Sequence, residues 1–212
     1  MSIDHSTKIL ILAPHTDDGE LGCGGSISRF IENYSEVFYA TFSWAEDSVP
    51  DGLPKDILLT EVREATETLG IDDAHLMIFD YPVRKFSDHR QEILEDLVTL
   101  NRDIHPDIVF MPAQNDLHQD HGIIVNEGLR AFRYTSILGY ELPRNNITFD
   151  TTAFIRLEEH HVITKIEALK CYESQKSKRY FDPKFIRGLA KTRGVQIDTD
   201  YAEAFTALRW VL

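Results

Sequence analysis

A continuous apolar run at Lys8–Ala13 (KILILA), ended by Pro14, sets the tightest limit on what this chain can become. A run without polar alternation has no face to offer water, so it reads as a strand covered on both sides, as the strands of parallel sheets are. Similar short runs recur at Val37–Ser43, Leu76–Phe79 and Asp107–Met111 (DIVFM). Between them lie segments with helical spacing. Ile27, Phe30 and Ile31 mark one face; Val62, Ala65 and Leu69 mark another within Leu59–Leu69, with Gly70 at the expected stop. Asp88 and Gln91 have capping-box spacing ahead of Ile93, Leu97, Leu100 and Ile104, and Pro106 ends that helix. A helix from about His121 to Arg133 follows, then strands near Ser136–Leu142 and Ala153–Leu157. A helix with Val162, Ile166 and Leu169 on its face and a last strand at Phe205–Val211 complete the pattern. Strands alternating with helices predict right-handed crossovers and an α/β fold: a doubly wound, mostly parallel sheet with helices on both faces. With 212 residues, no internal repeat and no low-complexity linker, residues 1–212 read as one domain.

Composition narrows the function. The longest uncharged stretch, Val37–Ala45, is nine residues, where a bilayer span needs about 20. The start, MSIDHSTKIL, lacks the basic-then-apolar order of a signal peptide. Cys23 and Cys171 make neither a disulfide framework nor a Cys-x-x-Cys pair, which favours a reducing compartment, the cytoplasm. The net charge of −13 repels phosphate backbones and argues against nucleic-acid binding. Against that trend, Lys176–Arg193 holds seven basic residues and one acid, Asp182. The stretch reads as a solvated helical surface, with a local anion site for a phosphate or carboxylate as the sharper alternative.

In doubly wound sheets the site lies beyond the carboxyl ends of the strands. Two loops that leave strand ends carry unusual residues: Ala13–Gly25, containing His15-Thr16-Asp17-Asp18, and Pro112–His121, containing His118-Gln119-Asp120-His121. Catalytic zinc needs three protein ligands and an open position. His15 and Asp18 can supply two and a histidine of the second loop the third. Asp17 is then a free carboxylate beside the metal, suited to take a proton from metal-acidified water. The other histidine can donate to a developing oxyanion or protonate a leaving amine, and Asp120 can orient a histidine. Each element also has a plain structural role. Asp17 or Asp18 can sit at a helix N-terminus, and Asp120 can be the N-cap of a helix starting at His121. Gly22, Gly24 and Gly25 can serve tight helix–sheet packing. A phosphate cradle is the weaker reading of them, since the loop has neither the dinucleotide fingerprint nor a Walker lysine.

The two loops together resemble the His-Pro-Asp-Asp-Glu and His-x-Asp-His motifs of the LmbE-like (PIG-L-type) N-deacetylases, and Tyr201-Ala202-Glu203-Ala204-Phe205 is similar to the family's C-terminal segment. The resemblance implies a Rossmann-like fold and metal-dependent removal of N-acetyl groups, usually from small glucosamine-containing substrates. It implies His15, Asp18 and His121 as metal ligands, Asp17 as general base, and His118 as the group that stabilises the oxyanion and protonates the amine, tuned by Asp120. Zinc (Zn2+) is the metal it implies, although two histidines and a carboxylate also suit ferrous iron (Fe2+). Thr16 replaces the family's proline, Gly19 stands at the usual glutamate position with Glu20 after it, and Leu58 stands where several relatives have a substrate-binding arginine, while Glu61 matches. Arg84, in the Tyr81–Arg84 loop, is the candidate to replace that arginine. Glu141 and Asn145 are weaker candidates for sugar contacts. Two alternatives remain: hydrolysis of another small amide, such as a thiol conjugate, and a non-enzymatic receiver-like domain that binds magnesium and uses Asp80 as phosphoacceptor.

Overall fold

The first apolar run becomes β1, Lys8–His15, in the computed structural model, which describes residues 7–211. Its side chains alternate between two cores. Ile9, Ile11 and Ala13 join one cluster and Leu10 and Leu12 the other, which is the two-sided burial its sequence calls for. Six further strands follow: β2 (Glu36–Ser43), β3 (Leu76–Ile78), β4 (Ile108–Pro112), β5 (Ser136–Tyr140), β6 (Ala153–Leu157) and β7 (Tyr201–Arg209). All seven form one sheet in the order β3-β2-β1-β4-β5-β7-β6. The first five are parallel neighbours, whereas β7 enters antiparallel between β5 and β6. The expected α/β, mostly parallel sheet is therefore present. The order also removes the receiver-like alternative, whose sheet runs 2-1-3-4-5.

Helices cover both faces. Ile27 and Phe30 of α1 (Asp18–Glu32), Val62, Ala65 and Leu69 of α2 (Ile57–Leu69), and Val162, Ile166 and Leu169 of α5 (Glu159–Lys170) pack on one side. Ile186 and Ala190 of α6 (Pro183–Val195) join them. On the other side lie Ile93, Leu97, Leu100 and Ile104 of α3 (Arg90–Ile104) and Ile124 and Val125 of α4 (Gln119–Ala131). Gly70 ends α2 in the left-handed conformation (φ 91°), as its position suggested. The capping box of Asp88 and Gln91 does not form. A 3₁₀ turn at Phe86–His89 takes Asp88 into its own backbone, and Gln91 donates instead to Glu95. Among the described residues no helix is long and apolar enough to cross a membrane.

The glycines of α1 are explained by packing. A Cβ on Gly22 would overlap the Tyr140 ring, and one on Gly25 would stand 2.6 Å from Leu157. No phosphate cradle is needed to account for them. At Cys23 the backbone leaves helical geometry (φ −145°, ψ 22°), so α1 is two helices joined at a kink. The amides freed there are captured by Glu203 on β7, which accepts from Gly25 N (3.1 Å), Ser26 N (2.7 Å) and Ser26 Oγ (2.6 Å). Lys165 on α5 completes the arrangement by donating to Glu203 (2.6 Å) and to the Leu21 carbonyl (2.7 Å). Every buried polar group at the kink named here has a partner, as burial demands.

Candidate metal centre and active site

β1 and β4 pair only from Ile9/Ile108 to Ile11/Phe110. Beyond that, β1 continues beside β2 as far as His15/Ser43, and β4 continues beside β5 as far as Pro112/Tyr140. The two central strands thus part at their carboxyl ends, at the point where strand order reverses, and open a crevice there. His15 is the last residue of β1, Asp17 and Asp18 start α1, and the loop from β4 into α4 brings Asp116, His118, Asp120 and His121 to the same place.

Three donor atoms face one another. His15 Nδ1 lies 3.0 Å from Asp18 Oδ2, His121 Nε2 lies 3.1 Å from the same oxygen, and the two nitrogens are 3.3 Å apart. Ligands about 2.0–2.2 Å from a tetrahedral metal stand roughly 3.3–3.6 Å from one another, so the triangle is close to one face of such a site. The remaining ring nitrogens are held from behind. His15 Nε2 donates to Asp120 Oδ2 (3.1 Å) and His121 Nδ1 to Asp116 Oδ2 (2.8 Å). That is how carboxylates fix the tautomer and orientation of metal-binding imidazoles. A nitrogen of His118 also comes within 4.8 Å of one nitrogen each of His15 and His121.

The charges around the triangle call for a cation. Burial disfavours charge on His121, yet Asp18 and Asp116 on either side push it up to about 10. His15 is raised too, because its bonds to Asp120 and Asp18 outweigh burial. Burial works against the Asp18 carboxylate, but the two histidines hold it well below the usual range. Asp17 goes the other way: burial and the neighbouring Asp18 raise it, against Lys178 and His15. Asp17 occupies the N-cap position of α1 without a side-chain capping bond, so its carboxylate is not used up by the helix.

The N-cap of α4 is His118, not Asp120 as one reading of the sequence had it. His118 Nδ1 accepts from Asp120 N (3.2 Å), and α4 starts at Gln119. Burial, with His15 and His121 nearby, pushes His118 down to about 4, so the ring is neutral at pH 7. With Nδ1 an acceptor, its proton resides on Nε2. The Asp120 carboxylate meets His15 rather than His118, and its two oxygens also accept from Arg84 N (2.6 Å) and Phe86 N (3.3 Å). Arg84 is held there in the left-handed region (φ 67°), and Gln119 Nε2 donates to its carbonyl.

These residues border one pocket of about 250 Å³, lined by His15, Asp17, Asp18, Arg84, His118 and His121 and also by Leu142, Arg144, Lys178, Tyr180 and Ile186. Asn145 lines it but uses its amide to hold Asp116 (3.2 Å), and Glu141 is taken by Arg193. Asp116 went unnoticed in the sequence, although it also accepts from His118 N (2.8 Å). Below the first loop, the Tyr39 and Tyr172 hydroxyls stand between the fully buried Glu20 carboxyl and the Thr16 carbonyl, within hydrogen-bond reach of both and 2.9 and 2.7 Å from the carbonyl, and so tie the turn at Thr16 to Glu20.

A Rossmann-like sheet with a cluster of two histidines and an aspartate at its switch point defines the class. The family model described as PIG-L, GlcNAc-PI de-N-acetylase, matches residues 10–132, and the chain belongs to that family. It is 29% identical over 173 residues to the uncharacterized deacetylase YaiS of Escherichia coli K12, covering 78% of this chain and 90% of that one. It is 27% identical over 122 residues to diacetylchitobiose deacetylase of Thermococcus kodakarensis, which covers 54% of this chain and 45% of the relative. Among solved structures, the conserved protein TT1542 of Thermus thermophilus superposes with a TM-score of 0.80 at 24% identity, covering 96% and 95% of the two chains. GalB, the 4-carboxy-2-hydroxymuconate hydratase of Pseudomonas putida KT2440, superposes at 0.79 with 18% identity over 97% and 98%. These structures share the fold, and a hydratase among them shows that the fold alone does not set the reaction.

Proposed function

We propose that the protein is a zinc-dependent N-deacetylase that releases acetate from an N-acetylated sugar of the glucosamine type, or a conjugate of one. The observation that carries this reading is the triangle of His15 Nδ1, Asp18 Oδ2 and His121 Nε2, with edges of 3.0–3.3 Å, beside an Asp17 carboxylate not engaged in capping. A metal held by those three residues supplies Lewis acidity, polarising the acetyl carbonyl and acidifying water. Asp17, raised by burial, takes the proton as the water oxygen bonds to the carbonyl carbon. His118 donates its Nε2–H to the developing oxyanion. The C–N bond breaks, the amine nitrogen receives the proton, and acetate and the free amine leave. Asp116 and Asp120 keep the two ligand imidazoles in register throughout, and Arg84 borders the pocket as the candidate sugar contact. Relatives named as deacetylases, one of them acting on diacetylchitobiose, support this choice over another small amide. The two cysteines are free thiols, which fits one domain working in a reducing cytoplasm.

The test combines metal content with product. The wild type purified without added metal should carry about one zinc per chain and release acetate from N-acetylglucosamine conjugates, and His121→Ala should lose both. Asp17→Asn should keep its metal and lose roughly 10²–10⁴-fold in rate. Absence of bound metal after zinc is offered, or full activity of Asp17→Asn, overturns the mechanism.

A further inference from the structure

The loop over residues 81–86 reaches the pocket through Val83 and Arg84, and one carboxylate ties it to the metal ligands. Asp120 is 1% exposed. Its Oδ2 accepts from His15 Nε2 (3.1 Å) and from Arg84 N (2.6 Å), and its Oδ1 accepts from Phe86 N (3.3 Å). A single oxygen thus receives a ligand imidazole and the loop backbone together. Phe86 adds a second contact, since its fully buried ring has its centroid 5.9 Å from that of His15.

The shape of the loop depends on those bonds. At φ 67° Arg84 stands in the left-handed region, which disfavours any residue with a Cβ. The amide bond to Asp120 and the donation from Gln119 Nε2 to the Arg84 carbonyl hold it there. Such a conformation persists only where its surroundings over-determine it. The neighbouring loop through Ala45 and Ser48 borders the same pocket, but Ser48 N and Val49 N bond to Ala45 and Glu46, within that loop.

We infer that Asp120 couples metal binding to the docking of the 81–86 loop, so that the metal shapes a wall of the pocket as well as supplying Lewis acidity. The inference rests on the reading of His15 as a metal ligand. A cation on His15 Nδ1 immobilises the ring and polarises its Nε2–H, which strengthens the bond to Asp120. A carboxylate fixed in that way presents its oxygens to Arg84 N and Phe86 N. The coupling is reciprocal: the factor by which metal favours the docked loop is the factor by which the docked loop favours metal. Asp120 is therefore a positioning residue, acting through His15 on one side and the loop backbone on the other.

Amide hydrogen exchange read by mass spectrometry, on the chain stripped of metal and the chain loaded with zinc, measures the coupling without turnover. Zinc should slow exchange over residues 81–86 about tenfold or more and leave residues 46–52 within about twofold, whereas a general tightening of the pocket would slow both. Chelator competition gives the reciprocal measurement. Arg84→Pro removes the amide hydrogen and forbids a positive φ. It should bind zinc at least about threefold more weakly than Arg84→Ala, which loses the same guanidinium but keeps the amide. Asp120→Asn, which trades an acceptor for a donor, keeps the question open to test should Arg84→Pro fail to fold. At saturating zinc its 81–86 segment should respond to the metal by less than about twofold. In a chain shown to bind zinc, equal exchange over 81–86 with and without the metal overturns the coupling and leaves the metal site standing. So does a full zinc response in Asp120→Asn, or zinc affinity in Arg84→Pro equal to that of Arg84→Ala. A wild type that binds no zinc removes the metal site and the coupling with it.

Discussion

At His118 one imidazole closes a helix end and serves the pocket, because the nitrogen that accepts the Asp120 amide leaves the ring's proton on the other. The histidine spacings and the acid pair of the first loop are local patterns, so they are legible in the sequence. Asp116 is not. Its bonds to His121, His118 and Asn145 exist only once the loop has folded back on itself. Asp116→Ala should therefore weaken zinc binding about 10–100-fold, measured by competition with a chromogenic chelator, and unchanged affinity would remove Asp116 from the support of His121. Glu20 makes a second prediction. Burial raises its pKa to about 8, against the opposing bonds from Tyr39 and Tyr172, so between about pH 4.5 and 8 the native state binds a proton that the unfolded chain has lost. That contribution to stability is complete below about pH 4.5 and disappears as pH rises through about 8. Glu20→Gln, which stays neutral, should show a shallower fall in Tm from pH 5 to 8 than the wild type with both proteins zinc-loaded. Parallel profiles would mean that Glu20 is already ionised at pH 5.

Among the elements, α1 holds a feature that the helical face of Ile27, Phe30 and Ile31 does not announce. It bends at Cys23, and the second half borrows its cap from Glu203, 177 residues from Ser26. Glycines at 22, 24 and 25 let the bend approach Tyr140, Lys165 and Leu157. Removing Glu203 unpairs the buried Lys165 ammonium as well as the amides of Gly25 and Ser26. Breaking a buried pair costs about 3–5 kcal/mol, so Glu203→Ala should lower Tm by about 6–20 °C. Replacing both charges with apolar residues, Lys165→Met with Glu203→Leu, should recover part of the Lys165 contribution. A loss under 1 kcal/mol in Glu203→Ala would show that the cap and pair are dispensable. The capping box at Asp88 and Gln91 shows the opposite error: a sequence pattern with correct spacing was overruled by the 3₁₀ turn that sets Phe86 against the other core.

For the molecule as a whole, the late strand β7 closes the architecture. It is the ladder partner of both β5 and β6, and it carries Glu203 to the kink of α1. Deleting residues 201–212 should abolish cooperative folding, because β6 then has no strand to pair with among the described elements. A truncated chain that keeps a sharp thermal transition and near-ultraviolet circular dichroism would refute this. The parallel half of the sheet was readable because the pattern of a strand covered on both sides is local: continuous apolar residues in short runs, separated by amphipathic helices. The motif histidines and aspartates were readable because each lies within a few residues of a strand end. By itself, then, the sequence determined the fold class, the two loops and the residue types that gather there. Only the tertiary structure decided that β7 turns antiparallel into the sheet, that α1 bends onto Glu203, and that Asp120 serves His15 while His118 caps α4. Each of these joins groups far apart in the chain or turns on which of two partners a side chain chooses. Such choices are made by burial and unpaired hydrogen-bonding groups in three dimensions, and a linear pattern does not carry them.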